Sequence, residues 1–178
     1  MKKAKQISLC AIFLTLALAL SYTERLLPLQ LLVPVPGMKL GLANIITLVA
    51  LFLFKTRYVF MILICRCTLS AVFGGGITGF AFSLCGGLLA LSTMAAAEKM
   101  PFLSIYGISV LGAATHNIGQ ILAAMALMHS VHIGAYLPYL LLVAVVTGLL
   151  TGSISAGILQ VLPKAHISVP IQMRREYV

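Results

Sequence analysis

Six polar side chains stand out because the sequence around them is apolar: Lys39, Asn44, Arg66, His116, Asn117 and Gln120. Arg66 lies in the middle of a long hydrophobic run. By insertion scales a cation there costs about 3 kcal/mol unless it is paired or hydrated. Two roles would repay that cost. One is structural: snorkelling, or pairing with Glu24 or a helix-end carbonyl. The other is contact with an anion or polar headgroup inside a cavity. His116, Asn117 and Gln120 form a second group. On a helix, residues 116 and 120 share a face and 117 is one step round, so the three read as one sector. They would either glue helices together, at under about 2 kcal/mol per contact, or touch a ligand from the bundle interior. Lys39 and Asn44 belong to the broken stretch Pro34-Val35-Pro36-Gly37-Met38-Lys39-Leu40-Gly41-Leu42-Ala43-Asn44. Lys39 reads as a group near the surface. Asn44 is buried by its context and needs a partner. With Glu24 they would cap an outward-facing pocket.

The same inventory closes off much chemistry. The chain has no aspartate, and its three glutamates, Glu24, Glu98 and Glu176, are scattered. A catalytic histidine needs an orienting acid or metal, and Glu24 is the only acid placed to serve His116. Gly74-Gly75-Gly76 lacks the Gly-Lys-Ser/Thr ending of a phosphate loop. Cys10, Cys65, Cys67 and Cys85 sit inside apolar runs, and Cys65-Arg66-Cys67 is too tight for zinc-ligand spacing; small apolar behaviour suits them better. His129 and His132 flank a short loop and read as solvated. We therefore expect no catalytic residue, metal ligand or cofactor.

The elements that hold these residues are membrane helices. Of 178 residues, 61% are hydrophobic and 8% charged, whereas a soluble domain is roughly a quarter charged. The apolar runs are long and unbroken rather than alternating, which favours helices over a membrane barrel. After a basic head, 1–5, spans are predicted at 6–21, 40–54, 58–73, 77–97, 103–128 and 135–162, followed by a basic tail, 163–178. The whole chain is one transmembrane domain, with 6–162 as its six-helix bundle. The segment 26–36 carries Pro28, Pro34 and Pro36, so it reads as interfacial or re-entrant. A cleaved signal peptide ending at Ala17-Leu18-Ala19 is the alternative for the first span. Ala11, Thr15 and Ala19 form a small-residue stripe, which lets another helix approach, either within the chain or from a docking partner. Gly79, Ser83 and Gly87 form a second ridge, and Gly148 and Gly152 a third.

The net charge of +9 reports topology here. With both termini inside, Lys2, Lys3, Lys5, Lys55, Arg57, Lys99, Lys164, Arg174 and Arg175 are cytoplasmic. Only Arg25 and Lys39 are outside. That bias predicts a multi-pass protein of the cytoplasmic membrane with both termini inside. The basic residues show no interleaved aromatics, so the partners are the lipid bilayer and a small molecule, not nucleic acid.

Three stretches carry a resemblance: Pro36-Gly37-Met38-Lys39-Leu40-Gly41-Leu42-Ala43-Asn44, Phe82-Ser83-Leu84-Cys85-Gly86-Gly87-Leu88-Leu89-Ala90-Leu91, and Gly112-Ala113-Ala114-Thr115-His116-Asn117-Ile118-Gly119-Gln120. In this order they resemble the Gx transporter family of bacteria, also labelled heptaprenyl diphosphate synthase component I. The family is similar to the substrate-binding S components of energy-coupling factor transporters. That similarity implies an all-α, six-helix membrane bundle binding a small anionic or polar-headed molecule from the outer side. Partners would then be a coupling subunit and its ATPases. The second label implies an accessory role beside a prenyl synthase, in menaquinone metabolism, or beside a redox partner in flavin-based extracellular electron transfer. Prenyl synthases hold magnesium with aspartate-rich motifs, and hard cations need such oxygen ligands. Without aspartate, this chain would be a non-catalytic component.

Overall fold

The computed structural model describes residues 3–26, 39 and 41–162. The expected interfacial segment around Pro28, Pro34, Pro36 and Gly37 lies outside the described residues, as does the basic tail. Among the described residues all regular structure is helical: α1 (Lys3–Arg25), α2 (Asn44–Leu53), α3 (Thr56–Ser70), α4 (Gly76–Ala97), α5 (Ile105–Met128) and α6 (Leu137–Val161).

The breaks follow from local chemistry. Extended Lys55 separates α2 from α3. A wide turn, Ala71–Gly75, joins α3 to α4, and it kinks where Phe73 and Gly74 leave helical geometry. Gly74 and Gly76 have φ of 95° and 61°, values glycine adopts without cost. The Ser104 side chain accepts from the Gly107 N–H and starts α5. His129, left-handed at φ 48°, ends it.

Packing is antiparallel between successive long helices. Gly87 lies against Leu63 and Arg66, so α3 and α4 fold back on one another; along a straight helix, positions 63 and 87 would be about 36 Å apart. Gly119 meets Cys85 and Gly86, Gly112 meets Met94, and Gly148 meets Val110. Glycine removes the side chain at each crossing and lets backbones touch, the usual device of membrane helix pairs. Hydroxyl pairs lie beside two of these crossings, Thr93–Thr115 at 2.7 Å and Ser109–Thr151 at 2.8 Å.

Two expectations need correction. The predicted second span, 40–54, is a ten-residue helix, about 15 Å long and so shorter than the hydrocarbon core. All ten of its residues are buried, so α2 is a core helix wrapped by the others. The predicted third span stops at Ser70, three residues early, because the kink begins there. Among the described residues, four stretches are long and apolar enough to cross a membrane: Ala4–Glu24, Thr56–Ala97, Ile105–Met128 and Val131–Val161. The second of these contains both limbs of the α3–α4 hairpin. Large apolar side chains such as Ile77, Leu142 and Val146 face outward, as they do in a protein whose solvent is lipid. The chain is a helical membrane protein.

On α1, Phe13, Ala17, Ser21 and Glu24 are buried, a stripe of helical period turned to the bundle. Phe13 stacks edge-on against Phe54, centroids 5.4 Å apart. Ala11, Thr15 and Ala19 are exposed on the other side, two positions and about 200° away.

Candidate functional site

One face of α4 organises the polar residues. Ser83, Gly86 and Gly87 share that face at helical spacing, and each meets a different element. The Lys39 Nζ donates to Ser83 Oγ at 2.8 Å. Gly86 lies against His116: a Cβ there would stand 2.8 Å from the histidine carbonyl oxygen and 3.0 Å from Nδ1. Gly87 lies under Arg66, whose Nη2 is 3.3 Å from the place a Cβ would take. Ser83 and Gly87 of the ridge legible in the sequence, with Gly86 beside them, thus form a floor on which Lys39, His116 and Arg66 rest.

A relay with a fixed direction ties the Lys39 segment to α5. The Lys39 backbone N–H donates to Gln120 Oε1 at 3.1 Å. That contact orients the amide, so its nitrogen faces His116, with the two Nε2 atoms 2.7 Å apart. An amide nitrogen can only donate, so His116 Nε2 accepts and the ring proton sits on Nδ1. His116 and Gln120 are 2% and 0% exposed, so the network operates away from water.

The segment is pinned from its other side by Glu24. This carboxylate, 1% exposed, accepts from the Gly41 N–H and, at 3.3 Å, from the Leu42 N–H. It thereby serves the start of α2, which has no side-chain cap of its own. A negative group at a helix start is favourable. Gly41 is required here: its φ is 85°, and a Cβ would stand 2.9 Å from Asn44 Nδ2 and 3.1 Å from His116 Cδ2. Lys39 and Arg66 both lie within electrostatic reach of Glu24 and of His116.

Five of the six predicted residues, Lys39, Asn44, Arg66, His116 and Gln120, therefore converge. Asn117 does not. Its Nδ2 donates to the Leu140 carbonyl at 2.9 Å, on the flank of α5 turned to α6. The single-sector reading fails because one residue is about 100° of helix, enough to reach a different neighbour. Lys39, expected near the surface, is half-buried. Sequence reasoning undervalued Glu24, which it placed near the pocket but read mainly as the end of a span, and Ser83, which it read only as small. The signal for Glu24 was its position as the sole acid within reach.

Unmet polar groups collect at this site. Both amide atoms of Asn44 and the Nδ1 of His116 are buried with no hydrogen-bond partner among the described residues. Each such group costs about 1–3 kcal/mol. One turn from Ser83, Gly79 is buried, and no atom of the described residues lies within 4 Å of where its Cβ would stand. Gly79→Ala is accordingly expected to leave stability unchanged or raise it by about 0.5–1 kcal/mol, read as the thermal midpoint in detergent; a drop would show that the space is filled.

A family model described as heptaprenyl diphosphate synthase component I matches residues 13–158. That stretch contains all six predicted site residues together with Glu24 and Ser83. No curated relative and no solved structure gives a significant match. Matched from within α1 to near the end of α6, the chain belongs to the heptaprenyl diphosphate synthase component I family.

Proposed function

We propose that this membrane component binds a small molecule with an anionic or strongly polar head, as the substrate-binding subunit of a transporter similar to S components. One observation supports the reading above others. Among the described residues the site gathers two cations, Lys39 and Arg66, against one carboxylate, Glu24, beside an Asn44 amide that no protein group satisfies. A site with more cations than carboxylates favours an anionic ligand, and an amide unsatisfied among the described residues favours one with donors and acceptors. Lys39, Asn44, Arg66, His116 and Gln120 supply the contacts, and Asn117 fixes α6 behind them. In this reading the site opens outward in a bacterial cytoplasmic membrane. Energy then comes from a partner: a coupling subunit with ATPases, docking on the exposed stripe of Ala11, Thr15 and Ala19.

The test is mass spectrometry of small molecules that co-purify with the protein from its native membrane. Arg66→Ala is expected to lower the retained amount on the order of ten- to a hundredfold, the worth of a charged hydrogen bond. If Arg66→Ala and His116→Ala both leave ligand content and uptake unchanged, the site is elsewhere.

The family description favours a second reading, a non-catalytic membrane subunit that partners the catalytic component of a prenyl diphosphate synthase. The absence of aspartate suits a subunit that does not itself hold magnesium diphosphate. Pull-down from native membranes separates the readings. Recovery of ATPase and coupling subunits supports transport, and recovery of a soluble prenyl synthase supports the accessory role. A redox protein would point to electron transfer.

A further inference from the structure

The two cations of the site are held differently. Lys39 is engaged: its Nζ donates to Ser83 Oγ and its backbone N–H to Gln120 Oε1. Arg66 is 4% exposed, and among the described residues no hydrogen bond or ion pair holds its guanidinium. Glu24 lies within electrostatic reach of it, but the carboxylate accepts instead from the Gly41 and Leu42 N–H groups. A guanidinium is planar, permanently charged and carries its donors in a fixed fork. Left buried without acceptors it is costly. The group that meets two of its N–H bonds at once is a carboxylate.

The place of Glu24 decides against a phosphate. The start of a helix, with its open N–H groups, is a ready cradle for phosphate. α2 starts in this site, two residues after Leu42, and the N–H groups leading into it already have the Glu24 carboxylate. A phosphate would find that cradle occupied and a fixed negative charge facing the same two cations. Every further negative charge on a ligand adds to that repulsion, which burial strengthens. Asn44, the first residue of α2, is 6% exposed and has neither amide atom paired among the described residues. The polar set is therefore incomplete as it stands.

We propose that the head group taken by this site is a carboxylate seated on the Arg66 fork, and that Glu24 is the specificity residue that turns away phosphate monoesters and diphosphates. The inference rests on the anion-binding reading above and narrows it to one head group.

Probes that share one aromatic body test it at about pH 8, where a phosphate monoester carries nearly two charges. Phenylacetate is planar and singly charged, benzyl methyl phosphate tetrahedral and singly charged, benzyl phosphate tetrahedral and nearly doubly charged. Benzyl alcohol is the neutral control. Each is titrated against the full chain in detergent at fixed ionic strength, and the rise in thermal midpoint gives an apparent affinity. Phenylacetate is expected to bind on the order of tenfold tighter than benzyl phosphate, the size of one like-charge repulsion in a partly buried site. Benzyl methyl phosphate should fall between them. Arg66→Lys keeps the charge and loses the fork, so it should weaken phenylacetate roughly tenfold and leave benzyl phosphate unchanged. Glu24→Gln should bring benzyl phosphate up toward phenylacetate. If benzyl phosphate binds the wild type as tightly as phenylacetate does, the carboxylate assignment is overturned and the anion site stands. If Arg66→Lys weakens both anions alike, the fork is not the seat. A gap that Glu24→Gln does not narrow removes Glu24 as the filter. So does benzyl methyl phosphate binding no better than benzyl phosphate, a comparison that needs no variant. If neither phenylacetate nor benzyl phosphate outdoes benzyl alcohol, the anion-binding reading itself fails.

Discussion

Glu24→Ala is expected to be among the most damaging polar substitutions in this protein, lowering unfolding free energy by about 3 kcal/mol or more. The carboxylate has two roles that no other described group can take over. It accepts the Gly41 and Leu42 N–H groups that lead into α2. It is also the anion set against Lys39 and Arg66. Alanine would take the acceptor from two N–H donors and remove the carboxylate that faces Lys39 and Arg66. Glu24→Gln separates these roles: it keeps an acceptor oxygen for the backbone and loses the charge, so its effect should be smaller. Combining Glu24→Gln with Arg66→Met should recover part of the loss, because the second change removes a cation that the first left uncompensated. Thermal unfolding in detergent measures all four proteins. A Glu24→Ala midpoint equal to wild type would remove Glu24 from the centre of the site.

Gly119→Val should rival it through packing alone. Even the first atom of a side chain at 119 would stand 2.6 Å from the Cys85 carbonyl oxygen and 2.7 Å from the Gly86 Cα. These are backbone atoms of α4, so no rotamer change relieves the clash, and α4 must move off α5. Overpacking of this kind costs about 1–3 kcal/mol, occasionally more. The damage should also spread to function, because α5 carries His116 and Gln120 while α4 carries their floor. Gly119→Ala should show the same sign at lower magnitude, opposite to Gly79→Ala. If Gly119→Ala were as harmless as Gly79→Ala, the close crossing of α4 and α5 would be refuted.

Much of this protein was legible from residue order because lipid and core impose a simple rule on it. Long apolar runs had to be helices, and polar residues stranded in them had to meet. Arg66, His116, Gln120, Lys39 and Asn44 do meet. The rule is blind to what covers an apolar helix. A helix apolar on all sides reads alike whether lipid or protein surrounds it, so the sequence of α2 reads as a span although all ten of its residues are buried. Asn117 shows a second limit: adjacent helix positions point to different neighbours, and only the placement of α6 decides where an intermediate residue goes. Glu24 shows a third. Its service to the start of α2 joins residues 17 positions apart through a contact that no local pattern encodes.

The direction of the relay from Lys39 through Gln120 to His116 has a further consequence. Suppose the ring carried its proton on Nε2. Gln120 would then have to turn its oxygen toward the ring, and its NH2 group would face the Lys39 N–H, donor against donor. The strand of chain at residue 39 could not remain hooked. The location of a mobile hydrogen and the location of a stretch of backbone are therefore one variable. A spectroscopist following the two ring nitrogens of His116 would be reading, from a single imidazole buried in the bundle, where residue 39 stands.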